Sequence, residues 1–219
     1  NGGSLILMAG FNSQGTPNLA TDPELSAYLL DNYGIAFNDN FIVDPIKNYQ
    51  GTDALLPDTI STDHFIGQMG LSEDFSVQFL FTFPTASIQV ADTAPDNVTV
   101  SSLIPTGNGA YTIANSNIPQ VVQSAVTPDI EQAQETGSFV IAAAAENQTT
   151  GSRLVLLGND SIAVDNLLAV GEQLDFANSE LILRSIIWAS NFDAQLMRET
   201  LEQPQILQRP SEQILIATE

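Results

Sequence analysis

The stretch RLVLLGNDSIAVDNLL, residues 153–168, runs an apolar strand-like pattern into Gly158-Asn159-Asp160-Ser161 and then into a helix-like pattern. In an α/β sheet, the crevice beyond the carboxyl ends of the strands is where ligands bind and chemistry is done. Asn159, Asp160 and Ser161 are therefore candidate ligand-binding residues. Asp160 and Ser161 could bind a cation or a polar group, or Ser161 could act as a nucleophile. A nucleophilic serine needs a base within hydrogen-bonding reach. The single histidine is His64, in STDHFIG, far away in the chain. His64 is therefore the fourth candidate. As a metal ligand it would need two or three further nitrogen or oxygen donors from elsewhere. The nucleophile-elbow pattern G-x-S-x-G is absent. The simpler expectation for Asp160-Ser161 is a helix N-cap, with Gly158 permitting a tight turn before it. No catalytic residue, metal set or cofactor is assigned from these patterns.

Composition narrows the chemistry further. The 219 residues contain no cysteine, which excludes thiol nucleophiles and thiolate metal sites. There are 26 Asp and Glu against 5 Lys and Arg, a formal net charge of −21. Lys47 is the only lysine. Nucleic-acid binding needs a basic footprint to neutralise phosphates, and none is present. Docking on an anionic membrane is disfavoured for the same reason. The acids are dispersed, as on a self-repelling soluble surface. They form no D-x-[DN]-x-[DN]-G calcium loop. No apolar run approaches the ~20 residues of a membrane span. There is no Walker A sequence, and Gly107-Asn108-Gly109 lacks the lysine of a phosphate loop. The sequons at Asn97, Asn147 and Asn159 matter only in a glycosylating pathway. Trp188 lies in a nearly all-apolar helical pattern, as a core residue would. The opening NGGSLILMAG, without a signal peptide, reads as the middle of a helix–loop–strand joint and hence as a piece of a longer protein.

The elements that must position the candidates follow from periodicity. SLILMA reads as a strand buried on both faces. TDPELSAYLLDNYG reads as a helix, with Asp22 as cap, Pro23 in the first turn and Gly34 as the left-handed stop. IAF and FIV flank the polar turn Asn38-Asp39-Asn40, and VQFLFTF reads as a further strand closed by Pro84. ASIQV and NVTVSSLI are strand candidates, and residues 114–135 are polar and weakly patterned. SFVIAAAA and RLVLL are joined by ENQTTGS, a linker of hairpin composition with Gly151 available for positive φ. SELILRSIIWAS reads as a well-buried helix opened by Asn178, and AQLMRETLE as another capped by Asp193. The tail carries two β-prone runs around Pro210. Strands alternating with helices at both ends of the chain predict one α/β domain, a mostly parallel sheet sandwiched by helices. Residues 45–135 are expected to form a β-rich, loop-rich insertion within it.

Several of these segments, in this order, resemble one family. GGSLILMAGFN is similar to its GG-strand opening, and LLDNYGIAFNDNFIVDP to its segment of a helix ending Y-G-I, a polar turn and a strand ending V-D-P. FLFTFPTASI, RLVLLGNDSIAVDNLL, ANSELILRSIIWAS and QILQRP resemble the segments that follow. The family is the GldG-type auxiliary domain of ABC transport and gliding-motility systems. Where it often has Gly-Asp-Ser, this chain has Gly158-Asn159-Asp160-Ser161, one residue longer. The resemblance implies a flavodoxin-like or class I glutamine amidotransferase-like fold. It also implies an extracytoplasmic module, anchored by membrane helices outside this segment and partnered by an ABC permease and ATPase. No catalytic residues carry over from it.

The function expected first is a non-catalytic binding or scaffolding module of such a system. The alternatives are a solute-binding protein for a small ligand, and a hydrolase with a degenerate site made of Asp160, Ser161 and His64. The hydrolase requires those three side chains to meet in one cleft. The solute-binding protein requires a sizeable pocket with convergent polar groups.

Overall fold

Strand β1 (Leu5–Met8) lies parallel to β9 (Ser152–Leu157), with Leu5 opposite Leu154 and Met8 opposite Leu157. In this computed structural model the described residues are 2–10, 22–51, 53–68, 77–165, 168 and 176–193. β9 in turn pairs antiparallel with β8 (Val140–Asn147) across the expected hairpin. Gly151 takes φ 68° in that turn, and Asn147 Oδ1 accepts the Thr149 and Thr150 amides. β8 also pairs antiparallel with β5 (Val98–Pro105) along its whole length and with β4 (Ile88–Val90) at Val140. β4 carries β2 (Ile35–Phe37) at its far edge. A second, three-stranded sheet is formed by β3 (Asn40–Val43), β6 (Ala110–Ala114) and β7 (Glu135–Gly137).

This corrects the expectation of a mostly parallel, helix-sandwiched, flavodoxin-like sheet. Among the described residues the protein is mostly β, with a mixed sheet curled into a half-barrel and few helices. Among the described strands only β1 and β9 run parallel. A run buried on both faces, such as VIAAAAEN or SRLVLL, reads the same in either pairing sense, so periodicity alone does not fix direction. The direction comes from the hairpin turn and from β5, whose register slips between Ser102 and Pro105. Such bulges bend a strand and increase its twist. β4 and β5, from the segment expected as an insertion, are woven into the principal sheet.

Both faces of that sheet are buried at its centre, along β8 and β9. Ala143, Ala145, Leu154 and Leu156 face Leu29, Ile35 and Phe37. Leu29 belongs to helix α1 (Pro23–Tyr33), which is built as expected. Asp22 Oδ1 accepts the Glu24 and Leu25 amides, and Gly34 closes the helix at φ 71°. Ala142, Ala144, Val155 and Leu157 face Phe79, Phe81, Leu181 and Trp188. The last two lie on helix α3 (Asn178–Ala189); the short α2 (Ile118–Ser124) covers Phe41 and Ile113 of the second sheet. α3 buries a stripe of Asn178, Leu181, Ser185 and Trp188 rather than its whole circumference, and leaves Leu183 and Ile186 half exposed.

VQFLFTF does not form a strand in its described part. The backbone bonds of residues 79–81 go to Leu55 and Pro57 on one side and to the side chain of Asn178 on the other, while Gln78 O accepts the Ala177 amide and Thr82 O the Asn159 side chain. The segment runs into a cis Phe83–Pro84 peptide. Asn178 is not the cap of α3, because Ala177 takes that position and makes no side-chain cap bond. The predicted helix AQLMRETLE and the strands of the tail lie outside the described residues. Most of the helix-like pattern after Ser161 does too.

Candidate functional site

Gly158 follows β9 and is held between β8 and the segment that leads into β4. Its amide donates to Ile141 O at 2.8 Å, and its carbonyl accepts the Ala86 amide at 2.7 Å. A Cβ there would sit 2.2 Å from Ala86 O, so the position admits only glycine. Close approach between backbones, rather than turn geometry, makes the requirement. Asn159 is 1% exposed and holds the neighbouring loop. Its Nδ2 donates to Thr82 O at 2.8 Å and to Pro84 O at 2.9 Å. Its Oδ1 accepts from Thr82 Oγ1 at 3.4 Å. Those contacts clamp the two sides of the cis peptide, and they bury the third sequon.

Asp160 and Ser161 do not make the expected cap. Ser161–Ala163 is a single 3-10 turn, and Asp160 at its start gives it no side-chain bond. Among the described residues, the only side-chain bond of the pair is from Ser161 Oγ to Asp160 Oδ1 at 3.5 Å, on the surface. Capping residues normally contribute about 1 kcal/mol. Without those bonds, the double replacement Asp160→Ala, Ser161→Ala is expected to change the unfolding free energy by no more than about 0.5 kcal/mol, the usual range for exposed positions. Urea unfolding of the double variant checks this, and a loss above about 1 kcal/mol would restore the capping role.

His64 lies elsewhere. It starts the 3-10 turn Phe65–Gly67, and its Nδ1 accepts the Ile66 amide at 3.2 Å. The proton of the neutral ring therefore sits on Nε2. The ring packs edge-on against Trp188, with centroids 4.7 Å apart. The charged groups around it are Arg153, Glu146 and Asp193, not Asp160. No hydrogen bond or ring contact joins His64 to Asp160 or Ser161 among the described residues.

What the structure gathers around His64 is an arginine cluster. Arg153 is 9% exposed, on a strand whose six residues are all buried. Its Nη1 donates to Asp193 Oδ1 and to Trp188 O, both at 2.6 Å, and its Nε donates to Glu146 Oε1 at 3.0 Å. Its guanidinium carbon stands 4.9 Å from the centre of the Trp188 ring. Burial opposes the charge, but the bonds from Asp193 and Glu146 outweigh it and raise the Arg153 pKa above its ordinary value. One turn earlier on α3, Arg184 pairs with Glu180 at 2.5 Å and lies over Phe65. α3 and the His64 turn are thus joined twice.

Burial lowers the pKa of His64 below the ordinary 6.5, and the Arg153 charge lowers it further. Protonation would also remove the acceptor used by Ile66. The unfolded chain takes up this proton near pH 6.5. The native chain takes it up only at lower pH. The contribution of neutral His64 is therefore complete above that pH. It is lost as the pH falls through the unfolded value toward the native one. His64→Asn keeps a side-chain acceptor without the titration. The difference in stability between the two proteins is expected to shrink on going from neutral pH to pH about 5. Urea midpoints of both proteins across that range measure it, and a difference that stays constant would refute the coupling.

Asp44, in the V-D-P segment, is 4% exposed and structural. It accepts the amides of Ile46 and Lys47 and, across the fold, that of Gly107.

The polar cleft that sequence reasoning missed lies at the end of α2. It has a volume of about 310 Å³ and is bordered by Asn117, Gln120, Ser124, Thr127, Asp129 and Gln132, with Val126 as exposed apolar surface and the buried Val121 and Pro128 beneath. Tyr111 donates its hydroxyl to Pro128 O at 2.8 Å and so fixes the segment below. Pro119 in the first turn of α2, followed by Val121 and Val122, was the available signal. The helix end was hidden because its left-handed residue is Ala125, at φ 52°, instead of glycine. A second cleft, of about 230 Å³, is bordered by Tyr28, Tyr33, Asn147 and Ser152.

The fold and these sites define a mixed-sheet β-rich domain with a buried arginine cluster and a polar surface cleft. Comparison with protein-family models, with curated proteins and with solved structures finds no match for this chain. The family resemblance therefore rests on the ordered segments alone.

Proposed function

We propose that this chain is a non-catalytic binding module that works outside the cytoplasmic membrane beside the permease and ATPase of an ABC-type transport or gliding-motility system. The transport setting is supported by the order of the resembling segments. In the structure they become β1, the α1–β2–β3 unit, the 79–88 segment, β9 with its turn, and α3. The binding role is carried by the cleft at the end of α2. Its border brings carboxamides, hydroxyls and a single carboxylate together beside Val126, a lining richer in polar groups than the usual small-ligand site and suited to a polar ligand. Its volume lies at the lower end of the ~300–1,000 Å³ typical of such sites. By contrast, His64, Asn159 and Arg153 are each engaged in holding the fold.

A thermal-shift screen against a metabolite library tests the reading, because a ligand that binds the native state raises the melting temperature. At least one metabolite should raise it in the wild type and fail to do so in Gln120→Ala, Gln132→Ala. A library without any such metabolite would remove the binding role.

A further inference from the structure

We propose that the cleft at the end of α2 recognises a small organic cation, a metabolite carrying an ammonium group on an aliphatic or hydroxylated body. This rests on the binding reading above and names its ligand class. The groups that border the cleft are acceptors or neutral. Asp129 lines it directly. Asp53 accepts a hydrogen bond from Thr127 Oγ1, a second lining residue. Both carboxylates stand close enough to Tyr111 to add to the rise that burial imposes on its pKa.

Neither acid has a basic partner among the described residues. Lys47 pairs with Asp58, Arg153 with Glu146 and Asp193, and Arg184 with Glu180. The helix adds to the negative potential. Its last turn closes with the Ala125 amide on Val121 O, and the carbonyls of Val122, Gln123 and Ser124 accept no bond among the described residues. Helix carboxyl ends attract cations. The chain as a whole, at −21, draws cations toward its surface and repels anions.

Size separates an organic cation from a bare metal ion. The cleft holds about 310 Å³, roughly ten times the ~30 Å³ of one water. Its exposed apolar surface, at Val126, suits methylene groups and would be idle against a hydrated ion.

The test uses matched probes on the full chain: glucosamine against glucose, 1,4-diaminobutane against 1,4-butanediol, and calcium chloride alone. Amide chemical shifts of Gln120, Ser124, Thr127 and Asp129 are followed by two-dimensional NMR. The amines should shift these amides in a saturable way at millimolar concentration or below, and the neutral partners should not. Asp129→Asn, at an exposed position, should weaken amine binding about fivefold, the scale of one surface ion pair. Added salt should weaken it as well.

Equal binding of the neutral partners would overturn the ligand class and leave the binding role standing. Shifts with calcium alone would make the cleft a metal site and overturn the proposal. Silence from every probe also overturns it. The metabolite screen then decides separately whether the cleft binds anything.

Discussion

Replacing Arg153 by methionine is expected to lower the unfolding free energy by about 3 kcal/mol, near the lower end for removing one partner of a buried ion pair. The substitution keeps the apolar stem on its strand. It strips Asp193 and Glu146 of their partner and leaves the Trp188 carbonyl without its donor. The two acids differ in how far water can relieve them. Side-chain exposure is 12% at Asp193 but 28% at Glu146, so most of the cost falls on Asp193. For a chain of this size, 3 kcal/mol corresponds to a melting temperature lower by about 6–12 °C. Arg153→Lys should recover only part of the loss, because an ammonium cannot serve both carboxylates and lie flat against the indole. Thermal melts of the three proteins, followed by Trp188 fluorescence, decide the matter. A loss below about 1 kcal/mol in the methionine variant would mean that the pairs behave as surface ion pairs.

Asn178→Ala should cost about 2–4 kcal/mol, since each buried backbone group left unpaired costs about 1–3 kcal/mol. Asn178 is 1% exposed. Its side-chain amide accepts the Leu80 N–H at 3.0 Å and donates to the Leu80 carbonyl at 2.9 Å. It thus does for Leu80 what a neighbouring strand would do. Leu80 itself is 6% exposed, so water is a poor substitute. Asn178→Asp keeps the acceptor but sets a carboxylate against a carbonyl, and should be no better than alanine. Two readouts check the claim: the urea midpoint, and hydrogen exchange at the Leu80 amide, which should accelerate selectively. A midpoint unchanged within about 0.5 kcal/mol would mean that the segment finds other partners.

Residues 79–81 also show where the sequence was and was not legible. VQFLFTF has every property of a strand, and its Phe79, Leu80 and Phe81 are buried and hydrogen-bonded. The partners of these three are a loop at Leu55 and Pro57 and one asparagine side chain, and no local pattern announces either. The elements with local signals were legible: Asp22 and Gly34 at the two ends of α1, and Gly151 in the β8–β9 turn. Pairing direction was not, because β8 and β9 are apolar on both faces. The α/β expectation failed on that ambiguity.

The candidate site was legible as a set of unusual residues but not as a set of roles. Asn159 proved to be a clamp, Asp160 and Ser161 an exposed pair, and His64 a neighbour of Trp188. The arginine that organises the cluster had one signal, a charge at the start of the buried strand SRLVLL. Its acids come from β8 and from beyond α3, which only the fold brings together.

The four alanines of β8, Ala142–Ala145, act as a spacer of fixed thickness between the two cores. Each is at most 1% exposed. Even and odd positions face opposite layers, so the distance from α1 to α3 is set by methyl groups on both sides. A larger residue at Ala142 would press on the Trp188 layer alone, and one at Ala143 on the Leu29 layer alone. Two neighbouring codons thus control opposite halves of the molecule, and the domain's tolerance of substitution is narrowest where its side chains are smallest.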